Sequence, residues 1–253
     1  MIKVEKVNKK EKEIIANPCL ANGLEVSKFE KFKASSEFLK EPLATELVND
    51  TDHFTNDAVQ LLKFHGSYQQ DNRENRKPGG VKDWQMMLRL RSPAGRIQPN
   101  LYVALDNLSN KLGNGTLRAT TRQAFQMHGI RKDNLKEVIQ TIIKHMGSTL
   151  AACGDVNRNV MAPPAPYDTK EYKLARELAI QIADLLTPAA GQGTFLELWA
   201  DGDLSYKIKP EKNVSKVRSI QNKGKVFSGE KKEPLYGKSY LPRKFKCAVT
   251  VPG

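Results

Sequence analysis

The residues best equipped for chemistry in this chain are cations, and they stand where cations are costly. Arg89 and Arg91 sit among apolar residues in WQMMLRLRS (84–92). Arg118 and Arg122 are four apart in LRATTR, and Arg158 stands in GDVNRN. Arg243, Lys244 and Lys246 run from the rigid Pro242 into the apolar stretch Ala248, Val249, Thr250, Val251. Strand residues two or four apart share a face. A regular strand therefore aims Arg118, Thr120 and Arg122 one way, and sets Lys244 and Lys246 side by side, roughly 7 Å apart. A cation taken out of water is strongly destabilising unless it is paired, yet Asp155 is the only acid inside these motifs. One such Arg can snorkel from a strand edge. Eight cations in four segments point instead to a ligand with many anionic groups.

Other chemistry is poorly represented. Cys19, Cys153 and Cys247 lie far apart with no C-x-x-C pair, so neither a disulfide framework nor a zinc site is indicated. His53, His65 and His145 have no metal-ligand spacing and read as structural; His128 lies close to the Arg118–Arg122 motif.

The elements that must position the cations follow from periodicity. Residues 1–33 are polar and irregular. Phe38, Leu39, Leu43, Leu47 and Val48 predict a helix near Glu37–Asn49, and a second covers Asn56–Lys63. KPGG at 77–80 marks a turn. Residues 84–92 predict a strand and 98–113 an amphipathic helix, with Leu101, Ala104, Leu105, Leu108 and Leu112 on one face. Pro99 suits the first turn of that helix and Gly113 its end. Residues 115–130 predict one or two strands. Residues 133–147 predict a helix with the stripe Leu135, Val138, Ile139, Ile142 and Met146, capped by Asn134 and Glu137 and ended by Gly147. Strand, helix, strands, helix is half of a split βαβ, ferredoxin-like unit, so the fold class is α+β. Such a half-unit leaves its sheet open, and no second copy follows before residue 253. A loop of small residues (148–166), a helix near 170–186, a strand at 194–199, a Lys-rich insertion at 204–234 and a closing strand complete the chain.

At 253 residues, with 39% hydrophobic and 27% charged residues, the chain suits a water-soluble protein. No apolar run approaches a membrane span and no secretory leader is visible, so a cytoplasmic location is expected and no membrane partner. The net charge of +13 is uneven: residues 207–246 hold thirteen Lys/Arg against three acids, a net of +10. Such a block attracts phosphate, an acidic protein or an anionic ligand, or is simply a solvated loop.

Several motifs carry a resemblance. TLRATTRQAFQMHGI, GDVNRNVMAPPAPY and YLPRKFK resemble those of ferredoxin-dependent sulfite reductases, within the sulfite/nitrite reductase family. AVQLLKFHGSYQQDNRENR (58–76) and WQMMLRLRSPAG (84–95) resemble its plant and cyanobacterial branch. The resemblance covers residues 34–253 and implies a helical extension (34–80), a ferredoxin-like half-domain (81–147) and the first part of a sirohaem/[4Fe–4S] domain (148–253). It implies sirohaem, whose eight carboxylates suit guanidinium partners. Arg118, Thr120, Arg122, Gln126, Asn157 and Arg243 match sirohaem-side positions. Arg89, Arg158, Lys244 and Lys246 match the four cations around sulfite, with ferredoxin as electron donor. Nitrite reductases resemble LPRKFN where this chain has LPRKFK, so Lys246 favours the dianionic sulfite. The four cluster cysteines of the family, spaced C-x5-C and C-x3-C, have no counterpart here. The resemblance thus implies an N-terminal fragment of a longer enzyme, inactive alone. A nitrite reductase fragment is one alternative. A basic nucleic-acid-binding module is another, disfavoured by 7% aromatics and the absence of a nucleic-acid motif.

Overall fold

The computed structural model describes residues 26–76, 78–188 and 235–252. Four antiparallel strands form one sheet: β1 (Ser67–Asp71), β2 (Trp84–Arg89), β3 (Leu117–Ala119) and β4 (Phe125–Ile130), in the order β1-β2-β4-β3. Three short helices precede β2: α1 (Lys28–Ser35), α2 (Leu43–Glu46) and α3 (Asn56–Leu62). Helix α4 (Pro99–Leu112) links β2 to β3, α5 (Leu135–Lys144) follows β4, and α6 (Lys170–Leu185) comes last.

Alternation along the strands sorts the two faces of the sheet. Met86 and Leu88 of β2, with Met127 of β4, are fully buried against Leu101, Leu105 and Leu108 of α4 and Val138, Ile139 and Ile142 of α5. These helices and the α+β class agree with the sequence pattern. The α5 stripe needs one change: Met146 is 59% exposed, and Ile143 is buried instead. The chain leaves the helix after Lys144, and Met146 takes a positive φ of 63°. Asn134 makes no side-chain cap, and Glu137 pairs with Lys111 instead, at 2.7 Å.

Four expectations are corrected. The sheet edge beside β2 is filled by β1, from residues ahead of the half-unit, with Ser67 to Asp71 paired to Leu88 to Trp84. SYQQD has no apolar alternation, so period gave no signal. Residues 1–33 are not irregular throughout: Ser27 and Glu30 form a reciprocal capping box that starts α1. The helix over 37–49 shrinks to Leu43–Glu46. Glu37, Phe38 and Leu39 have positive φ, and Pro42 disfavours a helical residue before it. Finally, 248–251 is not a named strand. Its neighbourhood instead pairs through isolated bridges, Phe245 with Asn157 and Ala248 with Met161. The strand at 194–199 and the insertion at 204–234 lie outside the described residues.

Candidate anion site

The end of β2 is fixed by a backbone approach. Gly66 has φ +75°, and a Cβ there would stand 2.4 Å from the Arg89 carbonyl. Only glycine permits that contact. The Gly66 carbonyl in turn accepts from the Arg89 amide at 2.9 Å. Register then places Arg89 of β2 and Arg118 of β3 on either side of Gln126 of β4. All three share the sheet face opposite the helices.

Gln126 organises that row. Its Oε1 accepts from Arg89 Nη2 at 3.0 Å and Nε at 3.3 Å. Its Nε2 donates to His128 Nε2 at 3.1 Å, and His128 Nδ1 lies 3.2 Å from Gln70 Oε1 on β1. An imidazole that accepts at Nε2 and donates at Nδ1 is neutral. Burial, then the charges of Arg118 and Arg89, hold His128 below the ordinary histidine range. The Arg89 guanidinium also lies 5.7 Å from the centre of the Tyr68 ring. Tyr68 and Gln70 belong to the strand that periodicity missed, so nothing in the sequence pattern marked them.

Arg118, Thr120 and Arg122 are not on one strand. β3 ends at Ala119, and residues 120–123 turn, with Gln123 at φ 56°. The turn carries Arg122 toward the segment beyond Arg158. Arg122 Nε donates to the Asn159 carbonyl at 3.1 Å and Nη2 to the Cys247 carbonyl at 2.9 Å. Asn159, fully inside, fixes this corner: its amide serves the Ser92 backbone and the Arg122 carbonyl. Thr120 Oγ1 caps the turn, accepting from the Arg122 and Ala124 amides.

The terminal segment lies alongside residues 156–161. Phe245 accepts from the Arg158 amide at 2.9 Å and donates to Val156 at 3.1 Å. Asn157 and Phe245 are bridge partners, and Asn157 Nδ2 reaches Cys247 Sγ at 3.5 Å. Alternation from that pair puts Arg158, Lys244 and Lys246 on the opposite side together. Arg158 Nε donates to the Gly154 carbonyl at 2.7 Å. Its charge, second to burial, lowers the pKa of Arg89 and, separately, of Arg122. Arg243 is exposed and precedes Lys244 in the same segment.

Arg91 leaves this group. Its guanidinium bonds to the Ala183 carbonyl and Thr187 Oγ1, at the carbonyl end of α6. That is the favoured end of a helix dipole for a cation.

Counter-charge is what the site lacks. Among the described residues, Arg89, Arg118, Arg122, Arg158, Arg243, Lys244 and Lys246 form no ion pair. Asp155 is taken by Lys33, at 3.2 Å. Asn157 is fully buried, and its Oδ1 has no partner among the described residues. Cations held apart from carboxylates fit a polyanionic ligand. Cys153 and Cys247 are separate free thiols, and no group of three metal-ligating side chains occurs among the described residues, so an iron–sulfur cluster finds no ligand set there.

The profile of the nitrite/sulfite reductase ferredoxin-like half domain matches residues 81–145. A sulfite reductase [ferredoxin] from Synechococcus elongatus is 57% identical over 229 residues, which is 90% of this chain and 36% of the relative. A sulfite reductase [NADPH] hemoprotein beta-component from Staphylococcus epidermidis is 40% identical over 232 residues, 90% of this chain and 37% of the relative. The NirA protein of Mycobacterium tuberculosis shares the fold, with a TM-score of 0.56 and 18% identity over 92% of this chain and 36% of its own. The chain thus spans about a third of the length of the curated relatives it matches. Its half-domain at 81–145, and its identity to sulfite reductases over nine-tenths of its length, make it a member of the sulfite/nitrite reductase family.

Proposed function

We propose that this chain forms the cationic wall of a sulfite reductase that takes electrons from ferredoxin in the cytoplasm. The observation that carries the reading is the set of neighbouring cations without a carboxylate among the described residues. Arg118, Arg122, Arg243, Thr120, Gln126 and Asn157 are the residues to hold the carboxylates of sirohaem, with residues 148–253 as the first part of its domain. When bound, sirohaem with its [4Fe–4S] partner would relay the donor's six electrons and provide the iron that sulfite meets. The cluster ligands are not among the residues described above, so no step is assigned to it.

The role of this chain's own residues follows from charge. Arg89 and Arg158 present planar guanidinium forks that orient the sulfite oxygens. Lys244 and Lys246 share the side of Arg158, where an ammonium can pass a proton to an oxygen that leaves as water. Cations preplaced where charge develops are electrostatic catalysis, and their neighbours' repulsion is relieved only when an anion arrives. Near neutral pH sulfite is largely a dianion and nitrite a monoanion, so the extra ammonium of Lys246 favours sulfite.

The test is the protein at its native length, purified without oxygen. The expected result is a haem-type visible spectrum and a higher kcat/KM for sulfite than for nitrite. Lys246→Asn should narrow that ratio by about tenfold, roughly one lost charge contact. A colourless protein, or a nitrite preference that Lys246→Asn leaves unchanged, overturns the reading. The donor is tested separately by neutralising lysines within 207–238: the KM for ferredoxin should rise at low salt and converge at high salt.

A further inference from the structure

Asp155 stands three residues before Arg158 and two before Asn157, and a side chain from outside the sheet disposes of its charge. Lys33, in the last turn of α1, is fully buried. Its Nζ donates to Asp155 Oδ2 at 3.2 Å and to the Leu241 carbonyl at 2.7 Å, and lies 4.9 Å from the centre of the Phe29 ring. The Leu241 amide donates back to the Asp155 carbonyl at 3.0 Å. One ammonium thereby joins α1, the 155–158 segment and the chain that leads to Lys244 and Lys246.

The position of Arg158 makes this matter for charge as well as anchoring. Its Nε is 2.7 Å from the Gly154 carbonyl, so the guanidinium folds back onto the residue next to Asp155. An Asp155 carboxylate released from Lys33 would lose its ion-pair partner while standing three residues from Arg158, nearer in sequence than any other acid. Carboxylates prefer a bidentate guanidinium. Such a pair would spend the Arg158 charge internally.

We infer that Lys33 is a positioning residue for the anion site: it sequesters Asp155 and so keeps Arg158 available to ligand. This rests on the reading of the cation group as an anion site. Helix α1 then belongs to the site's electrostatics, although it contributes no group that faces ligand.

The experiment uses the holoenzyme at native length with Lys33→Met, Asp155→Asn and the double variant. Two quantities are read: sirohaem per chain, and the sulfite dissociation constant from the visible spectrum on titration. Lys33→Met should weaken sulfite about tenfold and lower sirohaem content, a free-energy change of about 1.4 kcal/mol for the tenfold part. Asp155→Asn should stay within about twofold of wild type, since the charge that competes is gone. The double variant should regain wild-type sulfite affinity to within about twofold, whatever its urea midpoint. If the double variant binds as poorly as Lys33→Met, Lys33 is an anchor only and the inference fails. Should Lys33→Met not fold, the double variant is compared with Asp155→Asn: equal affinity supports the inference and weaker affinity overturns it. Arg158→Gln in the same titration tests the underlying reading. If sulfite affinity ignores Arg158→Gln, the anion site itself is wrong; if it responds while Lys33→Met does not, only this inference is lost.

Discussion

The two ends of β2 hold cations in opposite ways. At its start, Arg131 pairs with Asp83 and the Trp84 carbonyl, and Arg76 pairs with Asp71 across the edge. Lys132 sits in a cage made by the carbonyls and side chains of Asn49 and Thr51, with Nζ 5.0 Å from the centre of the Phe54 ring. At its end, Arg89 has a glutamine for a partner, and the charge of Arg158 bears on both Arg89 and Arg122. The first arrangement is complete without a ligand. In the second, like charges are brought together at a cost that the chain does not offset from its described residues. Cations at one end serve the fold, and those at the other are the ones proposed above to meet an anion.

The comparison breaks most easily at Arg158. Arg158→Gln at native length should lower kcat/KM for sulfite by about a hundredfold or more, the scale of removing one preplaced charge from a water-poor site. The urea midpoint should hold or rise, because a repulsive neighbour of Arg89 and Arg122 is gone. Lost stability together with unchanged kinetics would move Arg158 into the structural set. At the opposite end, Lys132→Met should do the reverse. It strands the Asn49 and Thr51 carbonyls and should cost about 2 kcal/mol by urea unfolding, with the KM for sulfite unchanged.

The same division explains what the sequence disclosed. Stripes such as Leu101–Leu105–Leu108 and Val138–Ile139–Ile142 face one apolar layer, so their period reported both helices and the buried face of the sheet. The cation group was legible as an excess of charge in apolar motifs, because burial makes unpaired charge rare. Its partition was not. Arg89 and Arg91 differ by two residues in one motif, yet Arg91 turns to the carbonyl end of α6, a partner 92 residues away in sequence. Likewise β1 has no apolar period because its core side is polar too: Ser67 is buried opposite Leu88, and the Gln69 amide holds the Phe54 backbone. Lys33 was hidden for a related reason: its partner, Asp155, is distant in the chain, and no local pattern marks a long-range ion pair.

His65 sharpens the contrast on the pH axis. It is fully buried, both ring nitrogens lack partners among the described residues, and burial pushes its pKa down to about 3. The unfolded chain takes up a proton near 6.5 that the folded chain refuses. Stability therefore falls as pH drops from about 6.5 toward 3, by up to about 1.4 kcal/mol per unit. His65→Leu should flatten that limb when urea midpoints are compared at pH 7 and 5. His128 lies on the open face, where an arriving anion offsets Arg118 and Arg89. Anion affinity should rise modestly as pH falls below the ordinary histidine range, and His128→Asn should abolish the rise.

The smallest effect belongs to the pair that looks most like a bond. Arg131 and Asp83 touch, and the Asp83 carboxyl is held below its usual range, first by hydrogen bonds from Asn75 and Arg131. Yet Arg131 is 52% exposed, and water already solvates most of the guanidinium. Pairs of this kind contribute about 0–1 kcal/mol. A depressed carboxyl stabilises above its unfolded pKa and loses that contribution as pH falls through the folded one. Arg131→Ala should therefore change the urea midpoint little at pH 7, still less at 0.5 M salt, and should leave sulfite kinetics untouched. A kinetic effect from Arg131→Ala comparable to that of Arg158→Gln would show that the two ends of β2 share one charge network, and the division drawn between them would be lost.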